Sequence, residues 1–199
     1  MRPITLKVSG FMCFRDEQAP LDFSELELFA ISGPTGAGKS SVLDAMTYAL
    51  YGKVPRMGRG SVRELISHGR DRMTVTFEFS VHDRRFLVAR STRRTGTSAV
   101  QMDELHGTTS SPLAEGARQV QQAVARVVGL DYDAFTQAVM LPQGDFARFL
   151  KGDRAQRRLI LQELLRLTVY GRMRELANEQ CKDARRSVDM LEQQLQAYA

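Results

Sequence analysis

One octapeptide narrows the folds open to this chain more than any other feature. Gly33-Pro34-Thr35-Gly36-Ala37-Gly38-Lys39-Ser40 fits the pattern G-x-x-x-x-G-K-[S/T]. Glycines at that spacing let the backbone wrap closely and aim consecutive N–H groups at phosphate oxygens, an approach that side chains would block. The flanks give the pattern its meaning. Residues 26–32 (Leu26-Glu27-Leu28-Phe29-Ala30-Ile31-Ser32) begin by alternating and then run apolar, which predicts a strand entering a buried sheet. Lys39 to Tyr51 predicts a helix with Val42, Leu43, Ala45, Met46, Ala49 and Leu50 inward. Strand, glycine loop and helix in that order make a phosphate cradle, with the positive N-terminal end of the helix behind it. Within it Lys39 supplies a point charge between the outer phosphates, and the Ser40 hydroxyl can enter a Mg²⁺ shell. Ser41, just inside the helix, can hydrogen-bond an α-phosphate. Asp44 is expected on the helix surface, away from the chemistry.

The rest of the chain surrounds this element with shorter ones. Residues 3–11 alternate as a half-buried strand ending at a glycine. Residues 52–72 read as a basic loop carrying Lys53, Arg56, Arg59, Arg63, Arg70 and Arg72. Strands are expected over 73–81, 85–92 and 98–106, joined by turns at His82-Asp83-Arg84 and Thr95-Gly96-Thr97, which makes an antiparallel meander. A loop from Gly107 to Leu113 leads to a helix over 115–128, and Asp131 is placed to cap a short helix through about Gln137. Val139-Met140-Leu141 is apolar, Pro142-Gln143-Gly144-Asp145 is a turn, and helices resume at 145–150 and 154–167. Beyond them Ala177, Cys181, Ala184, Val188, Leu191, Leu195 and Tyr198 alternate in spacing between four and three, an a/d seam of a coiled coil. With no glycine or proline to close it, the seam is expected to continue past the last residue.

Composition excludes several classes. No apolar run approaches the roughly 18 residues of a membrane span, and Met1-Arg2-Pro3-Ile4 opens no secretory signal. Cys13 and Cys181 form no Cys-x-x-Cys pair and read as buried small hydrophobes in a reducing, cytoplasmic setting. The 28 Lys and Arg residues against 23 acids give a net charge of +5. That balance is compatible with nucleic acid, an anionic nucleotide or an acidic protein. His68 has no second histidine or cysteine at ligand spacing, which argues against a metal role. Hydrolysis needs more than a phosphate loop: a strand ending in Asp, often followed by Glu, should complete the Mg²⁺ shell and activate water. No four apolar residues followed by Asp-Glu occur in the chain. Phe77-Glu78-Phe79 merely alternates, and Ala138-Val139-Met140-Leu141 runs into Pro142-Gln143.

The phosphate loop followed by Ser41-Val42-Leu43-Asp44-Ala45 resembles the N-terminal half of an SMC-type, ABC-class ATPase head. Gly129-Leu130-Asp131-Tyr132-Asp133-Ala134-Phe135-Thr136, leading into Met140-Leu141-Pro142-Gln143-Gly144-Asp145-Phe146-Ala147-Arg148-Phe149-Leu150, closely resembles the Q-loop region of the bacterial SbcC family. Members are the ATPase subunits of SbcCD nuclease complexes. The resemblance covers essentially the whole chain and implies an α/β fold: the N-terminal half of an ABC-type P-loop ATPase head, a mixed sheet with an antiparallel meander and a helical lobe. It implies a half-head over 1–168 and the beginning of an antiparallel coiled coil over 169–199. In the family the signature motif, the Walker B aspartate and the catalytic glutamate lie in a separate C-terminal half, which accounts for their absence here.

Carried over by position, Gly33, Pro34, Thr35, Gly36, Ala37, Gly38, Lys39, Ser40 and Ser41 resemble the ATP-binding residues. Ser40 and Gln143 resemble the Mg²⁺ ligands, and Lys39 and Gln143 the catalytic pair. An amide suits that place, because its oxygen can ligate Mg²⁺ while its N–H₂ orients water. Arg15 falls where related heads carry a basic residue near the nucleotide, or is a surface arginine. Residues 53–72 touch nucleotide through Ser67, His68 and Gly69, touch DNA phosphates through Lys53, Arg56, Arg59 and Arg63, or form a solvated loop. The implied partners are the C-terminal half of the same head, a second such molecule across sandwiched ATP, an SbcD-type nuclease partner and double-stranded DNA, in a nucleoid-associated setting. Two rival readings are a chromosome-organising SMC ATPase without a nuclease partner and a small P-loop kinase. The second would need its own Walker B residue and acceptor site.

Overall fold

The computed structural model describes residues 1–57, 60–107, 109–139, 153 and 168–197. The chain divides into two compact units, Met1–Pro142 and Gln143–Ala199.

The first unit is built on a six-stranded antiparallel sheet: β1 (Arg2–Ser9), β2 (Leu21–Asp22), β3 (Arg72–Val81), β4 (Arg84–Arg93), β5 (Ala99–His106) and β6 (Thr109–Glu115), in the order β2-β1-β3-β4-β5-β6. The strands follow period-two patterning. Met73, Val75, Phe77 and Phe79 of β3 and Phe86 and Val88 of β4 are buried on one face, while Thr74, Thr76, Glu78 and Ser80 take the other. A one-residue slip would exchange the two sets, so the β3–β4 register, Phe77 opposite Val88 and Phe79 opposite Phe86, is fixed by the core. Helices α1 (Lys39–Tyr51) and α2 (Ala117–Val128) cover the apolar face, and α3 (Tyr132–Ala138) packs on α1, with Phe135 against Tyr51. Asp131 caps α3, its Oδ1 accepting from the Ala134 N–H at 2.9 Å, as expected from the sequence.

Four expectations are corrected. No strand forms over 26–32. A buried strand needs hydrogen-bonding neighbours on both sides, and no described strand lies beside this segment; Leu28 stays 92% exposed, and Phe29 rests on Phe23 at 5.0 Å between ring centroids. The expected loop over 107–113 is instead largely strand β6, which is mostly exposed and carries no apolar stripe. It is an edge strand, with Pro112 beside a register shift in its pairing with β5, the setting in which a strand tolerates proline. In α1 the roles of Leu43 and Asp44 are exchanged: Leu43 is 40% exposed and Asp44 is buried. The two cysteines, read as buried, are both exposed.

Asp44 can be buried because Arg56, in the 53–72 loop, reaches it with Nη2 2.5 Å from Oδ2. Burial pushes the Asp44 carboxyl above its ordinary pKa, and Arg56 pulls it back. In the second unit, α4 (Thr168–Ala197) is one continuous helix over the a/d positions from Ala177 to Leu195, with Val188 and Leu191 exposed; Tyr198 lies outside the described residues. Among the described residues no helix is long and apolar enough to cross a membrane.

A carboxyl whose folded pKa lies above its unfolded value stabilises the fold at low pH, and that contribution is lost as pH rises through the folded pKa. Arg56 limits that loss. Replacing Arg56 by Ala is expected to cost about 1–2 kcal/mol near neutrality, reduced from the fully buried case because the arginine is half exposed. The deficit should shrink as Asp44 is protonated in acid. Urea denaturation of parent and variant across the acid range measures it, and a deficit independent of pH would sink the assignment.

Candidate nucleotide-binding site

The phosphate loop lies between the end of the 26–32 segment and the first turn of α1. Gly38 is the helix N-cap at φ +89°, a left-handed conformation, and no side chain caps the first turn. No acidic residue lies in that turn either. The leading N–H groups of α1 are therefore directed at the loop with the helix dipole behind them, a ready anion site. A Cβ at Gly36 would meet nothing within 4 Å, so the centre of the cradle has room on that side. These features fit a polyphosphate.

Lys39 bends back over the loop. Its Nζ donates to the Gly33 and Pro34 carbonyls, both at 2.8 Å. An ammonium has three donors, so one is left for a phosphate oxygen while the other two fix its position. Ser40 is exposed at the helix start, and Ser41 beside it is buried.

The loop has a floor that sequence reading missed. Phe11 and Phe14 exchange backbone hydrogen bonds of 3.0 and 2.8 Å around a tight turn with Met12 and Cys13 at its tip, and Met12 adopts φ +51°. This tip abuts Gly38: a Cβ there would lie 2.5 Å from Cys13 Sγ and 3.1 Å from the Phe14 ring. Only glycine fits Gly38, for its backbone angle and for this contact. The 66–70 loop joins the same floor. The Ser67 hydroxyl donates to the Met12 carbonyl at 2.8 Å, and the Ser67 N–H to Gly10 O at 2.8 Å. Arg15 Nη2 lies 3.4 Å from where Gly69 would carry a Cβ. Thus Arg15 and Gly69, far apart in sequence, come together, and Ser67 is bonded to the turn that abuts Gly38.

The other basic residues are held elsewhere. Arg56 pairs with Asp44, Arg63 donates to the Gly96 carbonyl at 3.2 Å, and the Lys53 ammonium sits 5.6 Å over the Tyr132 ring. All three remain exposed. Arg59 and Gln143 lie outside the described residues, as do the helices expected over 145–150 and 154–167.

Gly38→Ala is expected to raise the Kd for ATP at least about tenfold, since a residue with a Cβ in left-handed geometry costs about 1–2 kcal/mol before any clash. Gly36→Ala carries similar strain without the contact and should do less harm. Adding Cys13→Ala to Gly38→Ala should recover part of the loss; strict additivity in that double-mutant cycle would rule out the floor contact.

Known proteins resemble this chain in sequence and in fold. The chain is 41% identical over 186 residues to the SbcC subunit of the SbcCD nuclease from Deinococcus radiodurans, a match covering 92% of this chain and 20% of that protein. Against the SbcC subunit from Bacillus subtilis the identity is 40% over 210 residues, covering 98% and 18%. The chain thus spans about a fifth of the length of these relatives. A chain solved in work on the ATP-driven dimerisation and DNA-stimulated activation of SMC ATPases shares the fold, with a TM-score of 0.60 over 82% of this chain and 99% of that one at 20% identity. The AAA domain family model matches residues 5–199, so this chain belongs to the AAA domain family and resembles the SbcC subunits over nearly its whole length.

Proposed function

We propose that residues 1–168 are the N-terminal half of an ATPase head, that 169–199 begin an antiparallel coiled coil, and that the head binds ATP at Gly33–Ser41. The observation that carries this is the uncapped, acid-free N-terminus of α1 behind the glycine loop, with Lys39 held over it. The Ser40 hydroxyl and the Gln143 amide oxygen would hold Mg²⁺, which neutralises charge building on the outer phosphates. Lys39 places a fixed charge at the same oxygens, and the Gln143 amide group orients the attacking water. The aspartate and glutamate that complete hydrolysis come from a C-terminal half, and a second molecule closes over the bound ATP.

The relatives are named for their place in an SbcCD nuclease, which supports a further step. In it, ATP binding and hydrolysis control an SbcD-type nuclease partner acting on double-stranded DNA ends and hairpins, in the cytoplasm at the nucleoid. Exposed Lys53, Arg56 and Arg63, with Arg59, contact the DNA backbone, so binding weakens steeply with salt. An SMC-type head without a nuclease partner would share the ATP site. Co-purification of a metallo-phosphoesterase with the whole protein separates the two.

The decisive measurement is the steady-state ATPase rate of this chain alone, then mixed with a separately made C-terminal half. Turnover is expected only in the mixture. Lys39→Ala and Gln143→Ala should each lower kcat by about a hundredfold, the scale of losing one positioned polar group at the reacting phosphate. Steady turnover by this chain alone would overturn the half-site reading.

A further inference from the structure

One cation of the basic loop after α1 is matched by a buried carboxylate. Arg56 lies in a single 3₁₀ turn, Pro55–Met57, closed by the Met57 N–H donating to Val54 O at 3.2 Å, and Val54 itself is buried. Pro55 fixes the backbone at the entry to that turn. The turn brings Arg56 back to the side of α1, where its Nη2 stands 2.5 Å from Asp44 Oδ2. The two side chains differ sharply in exposure, 46% for the arginine and 7% for the aspartate. Asp44 Oδ2 is shut off from solvent and makes no hydrogen bond among the described residues, so the charge of the nearby guanidinium is what compensates it. The other described cations of the DNA-contact reading are held by neutral groups: Lys53 lies over the Tyr132 ring, and Arg63 donates to the Gly96 carbonyl. Both keep their full charge.

We propose that Asp44 is a built-in competitor for DNA: it cancels the charge of Arg56, so that this arginine can touch a phosphate but brings no net charge to it. This rests on the reading of the 53–72 loop as a DNA contact. A phosphodiester that meets a close ion pair sees a dipole, whose attraction falls off faster with distance than that of a lone cation. No counterion is released where the charge is already neutralised, so the pair adds nothing to the salt dependence that unpaired cations produce. Arg56 cannot simply swing away to the phosphate, because a buried carboxylate left unpaired is costly and Oδ2 is closed to the water that would replace the guanidinium. Asp44 also sits on α1, about one helical turn beyond Ser40. The mask therefore reaches the basic loop from the phosphate-loop helix itself, and the grip of the DNA face depends on a buried residue that DNA does not touch.

The test uses the whole protein and a blunt, fluorescently labelled DNA duplex, with Kd measured by anisotropy over a range of salt concentrations. Asp44→Asn removes the carboxylate and is expected to steepen the log–log salt slope by about 0.9, the increment of one added cation. Lowering salt about fourfold would then tighten binding about 3.5-fold more than in the parent. Combining Asp44→Asn with Arg56→Ala leaves no buried charge uncompensated and should return the slope to the parent value. Asp44→Ser, equally uncharged, serves if the asparagine variant does not fold. Arg63→Ala, which removes an unmasked cation, should lower the slope by about 0.9. An unchanged slope in a folded Asp44 variant, or a steeper slope that survives the removal of Arg56, overturns the proposal. If Arg63→Ala and Lys53→Ala both leave the slope as it is, the DNA-contact reading itself fails, independently of Asp44.

Discussion

Helix α1 has opposite requirements at its two ends. Its N-terminus stays uncapped, which leaves those N–H groups open to the proposed phosphate site; its C-terminus must be held firmly, because the helix orients the loop. The chain meets the second need with a buried charge. Arg90 on β4 donates from Nε to Ala49 O at 3.2 Å and from Nη2 to Leu50 O at 3.4 Å, beneath a left-handed Gly52 that ends the helix. Burial pulls the Arg90 pKa down, and what offsets that cost is backbone rather than a carboxylate. The orphan carbonyls and the negative end of the helix dipole take that part, and the guanidinium lies 5.7 Å from the Tyr48 ring. One turn earlier the Tyr48 hydroxyl shares a buried 2.7 Å hydrogen bond with Thr92 of the same strand.

Strand β4 and the residue just past it therefore hold both α1 and the 66–70 loop, the two sides of the proposed nucleotide site. Arg90 and Thr92 grip the back of α1, and Arg94 grips the loop in front of it. Arg90 and Thr92 alternate along the strand, so they share one face, the face that packs on the helix. The meander is more than a filler between motifs. It is the rigid body from which the P-loop helix and its floor are both suspended, which explains how a glycine loop with little packing of its own keeps a defined shape.

What the sequence disclosed followed from periodicity and local chemistry. The glycine loop, α1, the meander strands and the Asp131 cap each have a local signature, and each stands within a residue or two of its expected bounds. What it concealed depended on contacts distant in sequence. Asp44 reads as surface until Arg56, twelve positions on, is seen to reach it. Strand β6 reads as a loop because an edge strand needs pairing on one side only and carries no apolar stripe. The 11–14 turn and its contact with Gly38 left one trace, a cysteine two residues after a phenylalanine, which nothing in the pattern could attach to a phosphate loop.

Segment 26–32 is the instructive disagreement. Its apolar run carries the pattern of a strand buried on both faces, yet Leu26, Leu28, Phe29 and Ile31 stand exposed. Pattern and structure answer different questions. An apolar run records the surroundings in which a segment is favoured, while a strand exists only where neighbours supply its hydrogen bonds. Under the proposed half-head reading both statements hold, because the neighbouring strands belong to the C-terminal half. The phosphate loop then hangs from a helix that is already gripped and from a strand that forms when the halves join. Joining would fix the Gly33 end of the loop as Arg90 and the 11–14 turn already fix the Gly38 end. Assembly of the head and ordering of the ATP site become one event, coupled through a single short segment.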